Sequence, residues 1–159
     1  MKDLFKRHSN TTIIWAHTGV GRVVHAIQHH MANLAAILGD PQFGRVNFDI
    51  SWDEVAKYVV SSPEATKIVA DTLNRYPDRF LFGTDEVAPA SQANYTKIFN
   101  QYEPLWKLLT PEASRKVRLT NYERLFDAAR VKVRAWEKGH AGGLGAQPGD
   151  LRDRSSHLP

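Results

Sequence analysis

Apolar and polar positions along this chain alternate between short unbroken apolar runs and longer stretches of near-helical period. Residues 2–8 read as the end of a helix, closed by the turn-prone pair Ser9-Asn10. Thr11-Thr12-Ile13-Ile14-Trp15-Ala16 is β-branched and aromatic with no helical period, which predicts a buried strand. It runs into a glycine-bearing loop, His17-Thr18-Gly19-Val20-Gly21-Arg22. Val24, Ile27, Met31, Leu34, Ile37 and Leu38 then predict a helix of roughly 15 residues from about Val23, which Gly39-Asp40-Pro41 ends.

The cycle then repeats. Arg45 to Ser51 alternates as a strand, with Val46, Phe48 and Ile50 on one side. Helix is expected from Asp53 to Tyr76, restarted at Ser62-Pro63 by a capping residue and a proline at the first helical position. Pro77-Asp78 makes a turn, and Arg79 to Asp85 reads as a third short, buried strand. A loop through Pro89-Ala90 leads to a helix near Ser91–Leu109, and Thr110-Pro111-Glu112 opens another that continues towards Trp136. From Gly139 to Pro159 the pattern dissolves into glycine, proline, serine and charge, as in a disordered tail. The expected division is therefore a folded segment, 1–138, and a tail, 139–159. Three strand–helix alternations predict α/β architecture with parallel strands. Parallel sheets are covered on both faces, so three apolar strands make either a small layered sheet or part of something larger.

Composition narrows the picture modestly. A chain of 159 residues normally makes one domain with a real core. It has no cysteine, which excludes disulfides, thiolate metal sites and a cysteine nucleophile, and fits a cytoplasmic protein. No apolar run approaches the roughly 20 residues needed to span a bilayer, and residues 1–8 lack the apolar core of a signal peptide. Much of the +4 charge lies at Arg115, Lys116, Arg118, Arg124, Arg130, Lys132 and Arg134, interrupted by Glu112, Glu123, Asp127 and Glu137. That pattern reads as a solvated helix face, so neither nucleic acid nor membrane is an expected partner. A small-molecule substrate is.

Functional groups of parallel α/β folds gather at the carboxyl ends of strands. Here those positions hold His17, then Asp49, Ser51 and Trp52, then Asp85 and Glu86. Histidine with aspartate suits a divalent metal and suits water activation. Each also has a structural reading: His17 bonded to a neighbouring carbonyl, Asp85 as a turn cap, and Asp49 as a hydrogen-bonding strand residue. Arg22 could bind a substrate carboxylate or form an ion pair at a helix start. His25 and His29 are four apart on the predicted helix, a metal-compatible spacing, although no His-Glu-x-x-His motif accompanies them. His8, His30, His140 and His157 read as surface or tail residues. Gly19-Val20-Gly21 resembles the start of a dinucleotide-binding turn, but Val24 stands where the third glycine would fall. A small nucleotide-binding module using that loop is the alternative from another functional class.

The segments Ile13-Ile14-Trp15-Ala16-His17-Thr18-Gly19 and Arg79-Phe80-Leu81-Phe82-Gly83-Thr84-Asp85 together resemble the amidohydrolase superfamily, in the branch that includes metal-dependent decarboxylases. Asn121-Tyr122-Glu123-Arg124-Leu125-Phe126 is similar to the Asn-x-x-Arg-Leu-Phe near the end of such barrels, and the likeness spans residues 2–137. The resemblance implies a partial TIM (β/α)₈ barrel of about three C-terminal βα units plus C-terminal helices. It implies that Asp85 is the eighth-strand metal ligand. His17 would be the sixth-strand histidine, a proton carrier or second-metal ligand. Arg22 would contact substrate, and the cofactor would be a divalent metal, zinc foremost. The reaction implied is hydrolysis of a C–N or C–O bond, or a related decarboxylation. The first-strand His-x-His and the fifth-strand ligand have no counterpart. The expectation is therefore a truncated chain, inactive alone, completed by a homo-oligomer or a missing N-terminal barrel half, or else a non-catalytic remnant.

Overall fold

The structure is a computed structural model that describes residues 1–140. Its elements, in chain order, are helix α1 (Lys2–Arg7), strand β1 (Ile13–Trp15), a tight turn at Ala16–Gly19, α2 (His30–Leu38), β2 (Val46–Asp49), α3 (Asp53–Val59), α4 (Pro63–Arg75), β3 (Phe80–Leu81), α5 (Gln92–Gln101), α6 (Glu103–Trp106) and α7 (Pro111–Arg115). Two wide π-helical stretches, Lys116–Thr120 and Glu123–Asp127, lead to α8 (Ala128–His140). The chain divides into two compact units at Arg124/Leu125. Gly139 and His140, expected to begin the tail, end α8, and the rest of that segment lies outside the described residues.

The first unit is α/β. Its three strands pair in parallel in the order β1-β2-β3. The register places Trp15 beside Phe48 and Phe48 beside Phe80, so three aromatic rings run across one face. Their centroids lie 6.0 Å and 5.5 Å apart. Phe5 of α1 covers Trp15 and Phe43 edge-on. Because side chains alternate along a strand, Asp49 falls on the opposite face from Phe48. Asn47 is buried there too, donating from Nδ2 to the Ile13 and Arg45 carbonyls.

Polar side chains hold the rest of this frame. Half-buried Arg79 donates to the Val46 and Phe43 carbonyls. Burial, then the nearby Arg124 charge, pushes its pKa down. On the outer side of β3, Phe82 N–H donates to the Val117 carbonyl at 3.0 Å. Beside it, buried Asn121 donates from Nδ2 to the carbonyls of Pro77 (2.7 Å) and Phe80 (2.8 Å).

Helix starts follow the sequence signals closely. Ser62, Ser91 and Thr110 each accept a main-chain N–H three residues on, and proline occupies an early position after Ser62 and Thr110. Replacing Ser62 with alanine should lower stability by about 1 kcal/mol, read from a urea unfolding midpoint; an unchanged midpoint would deny the cap any role.

Four expectations need correction. The helix predicted from Val23 begins only at His30. Val23, Val24 and Ile27 are exposed, so their spacing buries nothing, and left-handed His29 (φ 60°) separates that stretch from the helix. The helix over Ser91–Leu109 breaks at Tyr102, where Pro104 cannot donate to the preceding turn. The third strand shrinks to Phe80–Leu81. The basic C-terminal stretch is not simply a solvated face. Arg118 stacks over Phe99 and Trp106, Lys116 pairs with Asp78 and Glu112, and Arg124 donates to the Asp78 carbonyl.

In the second unit, Arg130 pairs with Asp127 and Arg134 with Glu137 along the helix surface. None of its described residues is buried. No helix among the described residues is long and apolar enough to cross a membrane.

Candidate functional site

The carboxyl ends of three parallel strands lie at one edge of the sheet, and each end is followed by a non-glycine residue with positive φ. These are His17 (54°) and Thr18 (51°) after β1, Trp52 (94°) after β2 and Asp85 (51°) after β3. Such backbone costs on the order of 1–3 kcal/mol per residue and persists where surrounding structure enforces it. Trp52 is the most strained, since φ 94° with ψ 148° lies close to a region that is essentially glycine-only. Its coincidence at all three strand ends marks this edge as the candidate site.

The side chains converge. His17 Nε2 lies 3.6 Å from Asp85 Oδ2, while its Nδ1 lies 3.4 Å from Asp49 Oδ2 and 3.3 Å from the Ser51 carbonyl oxygen. The imidazole is thus flanked by two carboxylates, one toward the sheet and one toward solvent. Asp49 Oδ1 accepts from Ser51 N–H at 2.9 Å and from the Ser51 hydroxyl. That hydroxyl accepts in turn from Gly83 N–H at 2.9 Å. Main-chain N–H of His17 also points at Asp49 Oδ2, at 3.4 Å.

Trp52 forms one wall. His17 packs against its indole at 5.1 Å between centroids, and the Arg22 guanidinium lies 5.3 Å from the same ring. Arg22 is largely exposed and 3.7 Å from Glu54 Oε1 at the start of α3. The ion-pair reading of Arg22 thus has a feature in the structure, at the start of α3. Glu86 makes none of these contacts.

Behind the wall, Tyr102 is fully buried and donates its hydroxyl to the carbonyls of Ile50 and Trp52. Burial, then Asp49 and Asp53, pushes its phenol far above the ordinary range, so it acts as a fixed donor. No sequence signal marked Tyr102, which stood within an expected continuous helix. Tyr102→Phe should lower stability by roughly 1–3 kcal/mol by taking the hydroxyl donor from the Ile50 carbonyl, the Trp52 carbonyl keeping the Ala56 N–H, measurable by chemical denaturation; a loss below a few tenths would show that other donors replace the hydroxyl.

Other expected groups do not join. His25 is in a loop, with Nδ1 2.6 Å from the Tyr58 hydroxyl, and His29 sits outside α2, so the pair does not share a helix face. His30 is not a surface residue: its Nε2 is buried, and burial lowers its pKa. It helps line an apolar cavity of about 340 Å³ that shares Thr18 with the His17 turn but includes neither His17, Asp49 nor Asp85. Gly19 is explained by packing. At φ 80°, a Cβ there would sit 2.5 Å from the Trp15 ring. The loop it opens leads into no helix before His30, so the helix N-terminus that a dinucleotide turn relies on is missing.

The donor set decides the metal question. A catalytic zinc typically takes three protein ligands. His17 and Asp85 present two donors to the open side, and no group of three or more His, Asp or Glu residues among those described could hold a metal ion. These residues do not fit a divalent metal by themselves.

A family model described as amidohydrolase matches residues 1–128. No curated protein and no solved structure gives a match. His17 and Asp85 stand at the ends of parallel strands, and Asn121 and Arg124 of the Asn-x-x-Arg-Leu-Phe segment are bonded to the carbonyls before and within β3. The chain belongs to the amidohydrolase superfamily.

Proposed function

We propose that this chain is three C-terminal βα units of a (β/α)₈ amidohydrolase barrel and carries the proton-handling part of a hydrolytic or decarboxylating site. The observation that carries the reading is the approach of His17 Nε2 to Asp85 Oδ2, 3.6 Å, from two strand ends whose backbones are both held left-handed. In hydrolysis, His17 accepts the proton of the attacking water at Nε2. It returns that proton to the leaving nitrogen or oxygen as the C–N or C–O bond breaks. Asp85 accepts the other hydrogen bond of that water. Arg22, beside the Trp52 ring, offers a guanidinium to a substrate carboxylate once its loose pairing with Glu54 gives way.

A second reading is favoured by the two-donor set: the chain alone turns nothing over. A divalent metal, zinc foremost, would need donors beyond His17 and Asp85, from a further barrel segment or a second copy. Purified chain should therefore retain no stoichiometric zinc after dialysis. Added Zn²⁺ should bind weakly, and the binding should vanish in His17→Ala and in Asp85→Ala. Tight zinc that survives dialysis would overturn the two-donor account, and binding indifferent to both substitutions would overturn the site. The catalytic reading is tested by supplying the first five βα units of an amidohydrolase barrel in trans. Hydrolysis or decarboxylation should appear and be lost in His17→Ala; its failure to appear with both parts folded and associated would count against an enzymatic role.

A further inference from the structure

An imidazole can work as a proton acceptor only on the nitrogen that lacks a hydrogen, so the tautomer of His17 decides which way its lone pair faces. Nδ1 of His17 meets two groups, Asp49 Oδ2 at 3.4 Å and the Ser51 carbonyl at 3.3 Å, and both can only accept. Asp49 is itself held. Its Oδ1 takes the Ser51 N–H (2.9 Å) and the Ser51 hydroxyl hydrogen. The hydroxyl is turned that way because its oxygen already accepts the Gly83 N–H, at 2.9 Å. The line of bonds starts in the segment after β3, crosses the end of β2 and finishes on the side chain at the end of β1.

We propose that Asp49 and Ser51 are positioning residues for His17, fixing it as the Nδ1–H tautomer against the single, more exposed acceptor Asp85 Oδ2, 3.6 Å from Nε2, so that Nε2 keeps its lone pair for the proton it takes up. The inference rests on the reading of His17 as proton carrier, and it assigns what orients it. Gly83 belongs to the device as well. A Cβ at that position would come within 3.3 Å of Ser51 Oγ, crowding the hydroxyl that hands the bond on to Asp49. The Ser51 carbonyl alone is a competing explanation for the tautomer, and the substitution Asp49→Asn separates the two. Two Ser51 donors aimed at Oδ1 will hold the amide carbonyl on their side. The amide NH₂ then occupies the place of Oδ2 and presents a donor to Nδ1, which favours hydrogen on Nε2 instead.

The test is ¹⁵N–¹H correlation of the histidine side chains in the full-length, chelator-dialysed chain. It is read at about pH 9, well above the ordinary imidazole range, with His17 assigned by His17→Gln. The wild-type ring should be mainly Nδ1–H. Asp49→Asn should invert the tautomer ratio, and Ser51→Ala should reduce the Nδ1–H fraction, both with backbone spectra of a folded chain. A dominant Nδ1–H form in folded Asp49→Asn would overturn the proposal in favour of the Ser51 carbonyl. If Asp49→Asn does not fold, Ser51→Ala decides: an unchanged tautomer refutes the role and a reduced fraction supports it. The readout needs neither metal nor turnover. Zinc binding indifferent to Asp85, or a barrel complex without activity, would defeat the proposed function and leave this result standing.

Discussion

Phe48→Ala should lower the unfolding free energy by about 3–5 kcal/mol, a large share of the roughly 5–15 kcal/mol that holds an ordinary domain together. Phe48 has no solvent exposure and sits in the central strand, between Trp15 and Phe80. Its neighbours are themselves fixed: Trp15 by Phe5 packed edge-on, and Phe80 by Asn121 on its carbonyl. A cavity in the middle of such a row collapses poorly, and poor collapse puts a truncation at the high end of its range. Urea denaturation should show a lower midpoint with an unchanged slope. Val131→Ala on exposed α8 should stay within about 0.5 kcal/mol. A loss near 1 kcal/mol at Phe48 would mean that the aromatic row is not the core of the sheet.

Asn121 should be the second most sensitive position, and Asn121→Ala already a damaging change. It removes one amide that serves two carbonyls, those of Pro77 and Phe80, in a residue only 1% exposed. Each buried acceptor left without a donor costs roughly 1–3 kcal/mol. Asn121→Asp should be worse than Asn121→Ala, because it sets a carboxylate against two oxygens already facing it. Hydrogen exchange adds a local readout: the Phe82 amide, bonded to the Val117 carbonyl beside this contact, should lose protection disproportionately. If Asn121→Asp matched wild type, the two hydrogen bonds would carry no net stability.

These expectations bear on what the sequence could disclose. The three strands and the helix starts at Ser62, Ser91 and Thr110 were legible because they rest on local chemistry: β-branched runs, hydroxyl caps and proline at the first turn. His17, Asp49, Ser51 and Asp85 were legible as strand ends because parallel topology sends all such ends to one edge. The order of contacts among them was not. Asp49 read as a strand hydrogen-bonder, and only the register of β2 against β1 shows that it also reaches His17, beyond its local bonds from Ser51. Val24 and Ile27 misled because helical spacing says nothing about whether anything lies opposite to bury it. Tyr102 was invisible for the converse reason: its partners, the Ile50 and Trp52 carbonyls, are some fifty positions away in the chain.

The outer side of β3 is bonded to the Val117 carbonyl and to Asn121, whereas β1, paired with β2 through Ile13 to Trp15, is the other end of the sheet. Strand addition at β3 is therefore blocked: a visiting strand must first break the chain's own bonds to Val117 and Asn121 before it can pair there.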